Sequence, residues 1–66
     1  MYKNNPPVQE GQIIKHLKIE AIGNKGDGIT RINGFVVIVP ESKKGETHNV
    51  KITKVLPKLA FAEVII

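Results

Sequence analysis

Alternation of apolar and polar positions is the dominant signal along this chain. In QIIKHLKIEAI, residues 12–22, Leu17, Ile19 and Ala21 alternate with His16, Lys18 and Glu20. Period two of this kind marks a strand with one face on a core and the other in water. Gly23-Asn24-Lys25-Gly26 interrupts it, and a short strand resumes over residues 27–32. Asn33-Gly34 then predicts a two-residue hairpin, because both positions tolerate positive φ and the primed turn matches strand twist. The return strand, residues 35–39, reads FVVIV and is apolar on both faces, which predicts a central strand; Pro40 ends it. The polar connection ESKKGE turns at Gly45. A fourth strand follows over residues 47–55, with Val50 and Ile52 alternating against Lys51 and Thr53. Leu56-Pro57-Lys58 turns the chain into a fifth strand, residues 59–66. No stretch carries a helical period. Five short strands joined by short turns predict an all-β fold, a small five-stranded barrel, closed or nearly so, which leaves no exposed edge.

The N-terminus departs from this pattern. Asn4-Asn5-Pro6-Pro7 cannot sustain a helix or a central strand, since proline lacks the donor and restricts its neighbour. Residues 1–10 are therefore expected to be a flexible tail, and residues 11–66 the barrel. Tyr2, the single tyrosine, is either a passenger in that tail or a base-stacking residue. At 66 residues the chain is one domain, and a domain this short buries only about 60% of the surface its unfolded chain exposes. That leaves little room for a separate catalytic cleft. Cysteine is absent, so disulfides and thiolate–metal sites are excluded. No segment approaches the ~20 apolar residues of a membrane span, and the first residues lack the apolar core of a signal peptide. A cytoplasmic location without membrane contact is expected.

Charge narrows the partner. Ten Lys+Arg against six Asp+Glu give +4 and a pI near 9.6. A basic balance on so small a body favours anionic partners, nucleic acid first. The run GNKGDGITRING raises a nucleotide alternative, since it holds four of the six glycines. A phosphate-cradling loop needs its glycines between a strand and a helix, so that the helix N-terminus faces the anion. Here the glycines lead into ITRINGFVVIV, which is strand, and the P-loop Lys-Ser/Thr pair is missing. The glycines are read instead as turns and a barrel corner. His16 and His48 stand on separate strands, Asp27 is the one Asp and Ser42 the one Ser. No catalytic or metal-ligating constellation can be drawn, so no enzyme activity, cofactor, metal or small-molecule substrate is expected.

Single-stranded nucleic acid is bound by cations along its backbone and by aromatic faces on which bases stack. On the last strand Ala60, Ala62 and Val64 share one face, and Leu59, Phe61, Glu63 and Ile65 the other. With Glu63 in water, Phe61 points the same way, and the small alanines face a tight interior; the opposite reading puts Phe61 in the core and Glu63 at a rim. Across the two-residue turn Phe35 pairs with Ile32 and Arg31 with Val36. Arg31 and Phe35 then leave opposite faces, and Phe35 is either a core cap or a stacking residue. Lys25, Lys43, Lys44, Lys51, Lys54 and Lys58 fall on turns or wet faces and together make a basic surface.

With these residues in place the chain resembles the TRAM domain, found appended to RNA-modifying enzymes and alone as small archaeal proteins. The resemblance runs from about Val8 to Ile66. It is carried in order by G-x-G-I-x-R, G-F-V-V-x-V-P, P-x-x-x-x-G-E and L-A-F-A-E-V-I. Thr30, where a small alanine is common, and Ser42-Lys43-Lys44, in place of a Gly/Ala-rich turn, depart from the family pattern. The resemblance implies an oligonucleotide-binding-type barrel with RNA contacts at Arg31, Phe35 and Phe61; Lys25 and Lys54 join them as further cations. It also implies an ATP-independent RNA chaperone with a cold-shock-like role. Such a protein acts as a monomer on single-stranded or loosely structured tRNA, rRNA or mRNA. The alternative is an interaction module that docks onto a ribosomal or RNA-modifying protein, with Phe35 and Phe61 as hot spots.

Overall fold

The computed structural model describes residues 6–65; Tyr2 lies outside them. Six strands, β1 (Ile13–Lys18), β2 (Ala21–Ile22), β3 (Gly28–Ile32), β4 (Phe35–Val39), β5 (Thr47–Val55) and β6 (Leu59–Ile65), form one sheet in the order β1-β5-β6-β4-β3-β2. Neighbours are antiparallel except β4 and β6, which are parallel. The doubly apolar β4 is internal to the sheet, as its composition predicts. No helix occurs among the described residues.

Two expectations about the barrel need correction. The strand count is six, not five, because the first expected strand breaks in two. The sheet curls into an open half-barrel and does not close, since β1 and β2 at its two ends do not pair. The physical cause is a corner at Ile19-Glu20. Ile19 donates its N–H to the Glu46 carbonyl at 2.8 Å and accepts from the Gly45 N–H at 2.9 Å. Glu20 donates to the Ile29 carbonyl at 3.0 Å. Consecutive residues thus serve opposite ends of the sheet, and the chain leaves β1 beside β5 to enter β2 beside β3. The corner also shifts the alternation: Leu17 and Ile19 are buried, whereas Ala21 is exposed. A bulge precedes it. Register slips between Ile14 and Leu17, His16 takes a φ of +59°, and its N–H donates to Asn49 Oδ1 at 3.0 Å.

The core is Val8, Leu17, Ile19, Phe35, Val37, Val39, Val50, Ile52, Ala60 and Ala62. Val8 lies inside the stretch expected to be tail, yet it is 1% exposed. The packed body therefore reaches back to Val8. Prolines 6 and 7 bar a ladder there but not packing, and nearby the chain is tied down by Gly11 N–H to the Ile52 carbonyl at 2.7 Å and Ile52 N–H to the Gln12 carbonyl at 2.8 Å. Residues 1–5 of the expected tail lie outside the described residues.

The glycine-rich stretch divides into two uses. Gly26 and Gly34 have φ of +85° and +82° and make turns, the second with Asn33 at +52°. The hairpin register is the one expected, Ile32 opposite Phe35 and Arg31 opposite Val36. Gly28 serves close approach: a Cβ there would overlap Ser42 Oγ and stand 2.9 Å from Ile19 Cγ2 and 3.0 Å from the Val39 carbonyl. Ser42 sits in a stretch that is polar by composition, but it is buried and donates its hydroxyl to the Val39 carbonyl at 2.6 Å. Gly28 is the space into which that hydroxyl folds, so the β4–β5 connection is pinned across β3.

Candidate nucleic-acid interface

Pairing sets which side chains share the outer face. β4 alternates cleanly: Phe35, Val37 and Val39 are buried while Val36 and Ile38 are half-buried on the other side. β6 does the same, with Ala60 and Ala62 inside and Leu59, Phe61 and Glu63 outside. The parallel register places Val36 beside Leu59 and Ile38 beside Phe61. Extending through the other ladders gives one row across five strands: Ala21, Ile29, Ile38, Phe61 and Lys54. A second row holds Arg31, Val36 and Leu59, and a third holds Glu63, Lys51 and Ile13. Strands are about 4.8 Å apart and same-face residues about 7 Å apart along a strand. The outer face is therefore an apolar strip with Phe61 near its middle, Lys54 directly across from the ring, and exposed Arg31 and Lys51 on its flanks.

Three of the residues expected from sequence, Arg31, Phe61 and Lys54, are brought onto this one face. Phe61 is half-buried, with its alanine neighbours turned inward, which is the outward reading of the period-two pattern. Lys25 lies apart, exposed in the β2–β3 turn. Phe35 needs correction as a stacking residue. It is fully buried among the core side chains, so its ring offers no face to a base, and of its two readings the core cap holds. Its phase follows from β4 pairing Ile32 across the hairpin while Val37 packs on the same inner side. Lys51 was expected only as part of a general basic surface and Leu59 only as sharing the face of Phe61; Ile29, Val36 and Ile38 were not expected on this face. Period two places Lys51 on the wet face, but the parallel neighbourhood of β4 and β6, which assembles the strip, has no local signature.

His48 borders the outer face, in a recess shared with Glu63, Glu41, Pro40 and Val64. His48 is in phase with buried Val50 and pairs opposite Leu17. Its Nε2 lies 2.8 Å from Glu46 Oε1, and the Glu46 carboxyl is held below its ordinary pKa mainly by that hydrogen bond, with help from the Lys43 N–H. This group fixes the β4–β5 connection and builds no nucleophile or ligand set.

The TRAM domain model matches residues 7–65. The chain belongs to the TRAM family. TRAM domains are RNA-binding domains. An uncharacterised protein of Methanocaldococcus jannaschii is 57% identical over 63 residues, covering 96% of this chain and 80% of that protein. Translation initiation factor 2 subunit beta of Methanothrix thermoacetophila is 40% identical over 88% of this chain but only 27% of its own length. Ribosomal RNA large subunit methyltransferase E of Haloarcula marismortui is 47% identical over 86% of this chain and 21% of its own. This TRAM chain thus spans about a quarter or a fifth of those two larger proteins. The solution structure of a conserved protein of Methanococcus maripaludis matches with a TM-score of 0.86 and 50% identity, over 94% of this chain and 87% of that one.

Proposed function

We propose that this protein is an ATP-independent RNA chaperone that binds single-stranded or loosely structured tRNA, rRNA or mRNA as a monomer in the cytoplasm. The observation that carries the reading is the outer row Ala21-Ile29-Ile38-Phe61-Lys54 with Arg31 and Lys51 beside it. Phe61 gives a base a π-face, and the cations lie one strand or one row away, where the adjoining phosphates run. Arg31 also acts as a planar cation on which a base can stack. The strip is open, so it holds unpaired bases without clamping them. Binding the open form lowers its free energy and shifts misfolded hairpins toward it by mass action. Relatives that carry this domain within an initiation factor and a ribosomal RNA methyltransferase support an RNA setting and a cytoplasmic one.

The test is a salt titration of single-stranded RNA binding, paired with opening of a fluorophore–quencher hairpin. Three or four cations on single-stranded phosphates give a slope of log affinity against log salt of about −2 to −3. The apolar strip also suits a protein partner, the docking-module reading. A flat salt response with no hairpin opening selects that reading and removes RNA chaperoning.

A further inference from the structure

Among the three outer-face rows one side chain is a carboxylate, and it borders a recess shared with Pro40, Glu41, His48 and Val64. Glu63 is exposed on β6, two residues after Phe61 and on the same side of the strand. It stands roughly 7 Å along the strand from the ring position. Lys51 is its cross-strand partner. A cross-strand ion pair would be sufficient reason for a carboxylate here, yet among the described residues the one ion pair is His48–Glu46. Glu63 also accepts no hydrogen bond from a neighbouring side chain or backbone N–H outside the ladders among those described. A carboxylate on a phosphate-binding surface repels the ligand's backbone. Beside a stacking ring it can meet the ligand's base edges instead.

Resting on the RNA-binding reading above, we propose that Glu63 selects the base stacked on Phe61, favouring guanine. An ionised carboxylate is acceptor-only and takes two parallel donors. Among the four bases guanine alone presents adjacent donors on its Watson–Crick edge, N1–H and N2–H2. Uracil offers one N–H between two carbonyl oxygens, which repel the carboxylate. Adenine and cytosine offer one amino group beside a ring-nitrogen acceptor. Single-stranded RNA is read on these edges once its bases are unstacked onto aromatic side chains. Lys51 and Lys54 both lie on β5, opposite Glu63 and Phe61; they hold the phosphates along that side, and Glu63 meets the base.

The experiment uses the full chain and four oligouridine nonamers that differ at the central position, which is guanine, inosine, adenine or uracil. Inosine keeps N1–H and lacks the amino group. A bidentate base contact discriminates by about fivefold or more, so the guanine oligomer binds at least about fivefold tighter than the uracil one, with inosine between. Glu63→Gln removes that preference. It also raises affinity for the uracil oligomer slightly, because a negative charge has left the face. Circular dichroism melting checks that Glu63→Gln, at an exposed position, keeps the parent stability. Equal binding of all four oligomers by the parent overturns the proposal. So does a guanine preference that survives in Glu63→Gln. Failure of every oligomer to bind, with Phe61→Ala indistinguishable from parent, overturns the RNA-binding reading beneath it instead.

Discussion

Phe35 opens β4 and Phe61 lies in the middle of β6, on strands that run side by side, yet one ring is sealed in the core and the other lies on the outer face. Residue type is alike, and both strands are internal to the one sheet. What differs is the phase of the alternation relative to the curl of the sheet. Inside, the side chains opposite the rings are Val37, Ala60 and Ala62, small or branched residues that fill a narrow half-barrel. Outside, the same strands present Val36, Ile38, Leu59 and Phe61 half-buried, a surface that is apolar but wet. The lesson is that an aromatic in a small basic β-domain is not by itself a nucleic-acid contact. The face it leaves by decides between stability and binding, and each face can be tested against the other.

The largest expected effect lies inside. Phe35→Ala should cost about 3–5 kcal/mol, comparable with the whole stability of a domain this small, and leave little folded protein at ordinary temperature. Phe35→Leu, milder in volume, should melt lower but bind RNA with parent affinity while folded. Weakened binding by folded Phe35→Leu breaks the comparison.

Gly28→Ala should come next, at about 1–3 kcal/mol for overpacking, because its methyl group meets the Ser42 hydroxyl. Adding Ser42→Ala should recover part of that loss in a denaturant melt. Recovery is partial because Ile19 Cγ2 and the Val39 carbonyl stay at 2.9 and 3.0 Å from the new Cβ. Strict additivity of the two substitutions would show that the contact is not the source of the strain.

On the outer face the order of effects reverses. Phe61→Ala should weaken single-stranded RNA binding by about 1–3 kcal/mol, the usual value of one stacked base, with a melting shift smaller than that of Phe35→Leu. A stability loss as large as for Phe35→Ala would make Phe61 a core residue. The smallest change sharpens the picture. Arg31→Ala should reduce the magnitude of the salt slope by about 0.7, one single-strand phosphate contact, and change stability by no more than about 0.5 kcal/mol. An unchanged slope would remove Arg31 from the phosphate contacts.

The amino-acid sequence on its own settled a good deal. Turn chemistry at Asn33-Gly34 set the hairpin and its register, because a two-residue primed turn leaves one pairing for Arg31 and Ile32. The alanines at 60 and 62 favoured a phase of β6 with Phe61 outward, given Glu63 in water, but the core reading of Phe61 stayed open until its half-burial decided it. The tertiary structure alone decided the rest. FVVIV is apolar at every position and carries no phase, so Phe35 could be placed only by what packs against it. The corner at Ile19-Glu20, which turns an expected single strand into β1 and β2 and leaves the half-barrel open, depends on carbonyls and N–H groups of Gly45, Glu46 and Ile29, far away in sequence. The parallel neighbourhood of β4 and β6, which sets Ile38 beside Phe61 and makes the apolar strip continuous, is likewise non-local. Periodicity and turn residues speak for backbone within a few positions of themselves; which face becomes the inside is settled when distant strands meet and the curl chooses a side.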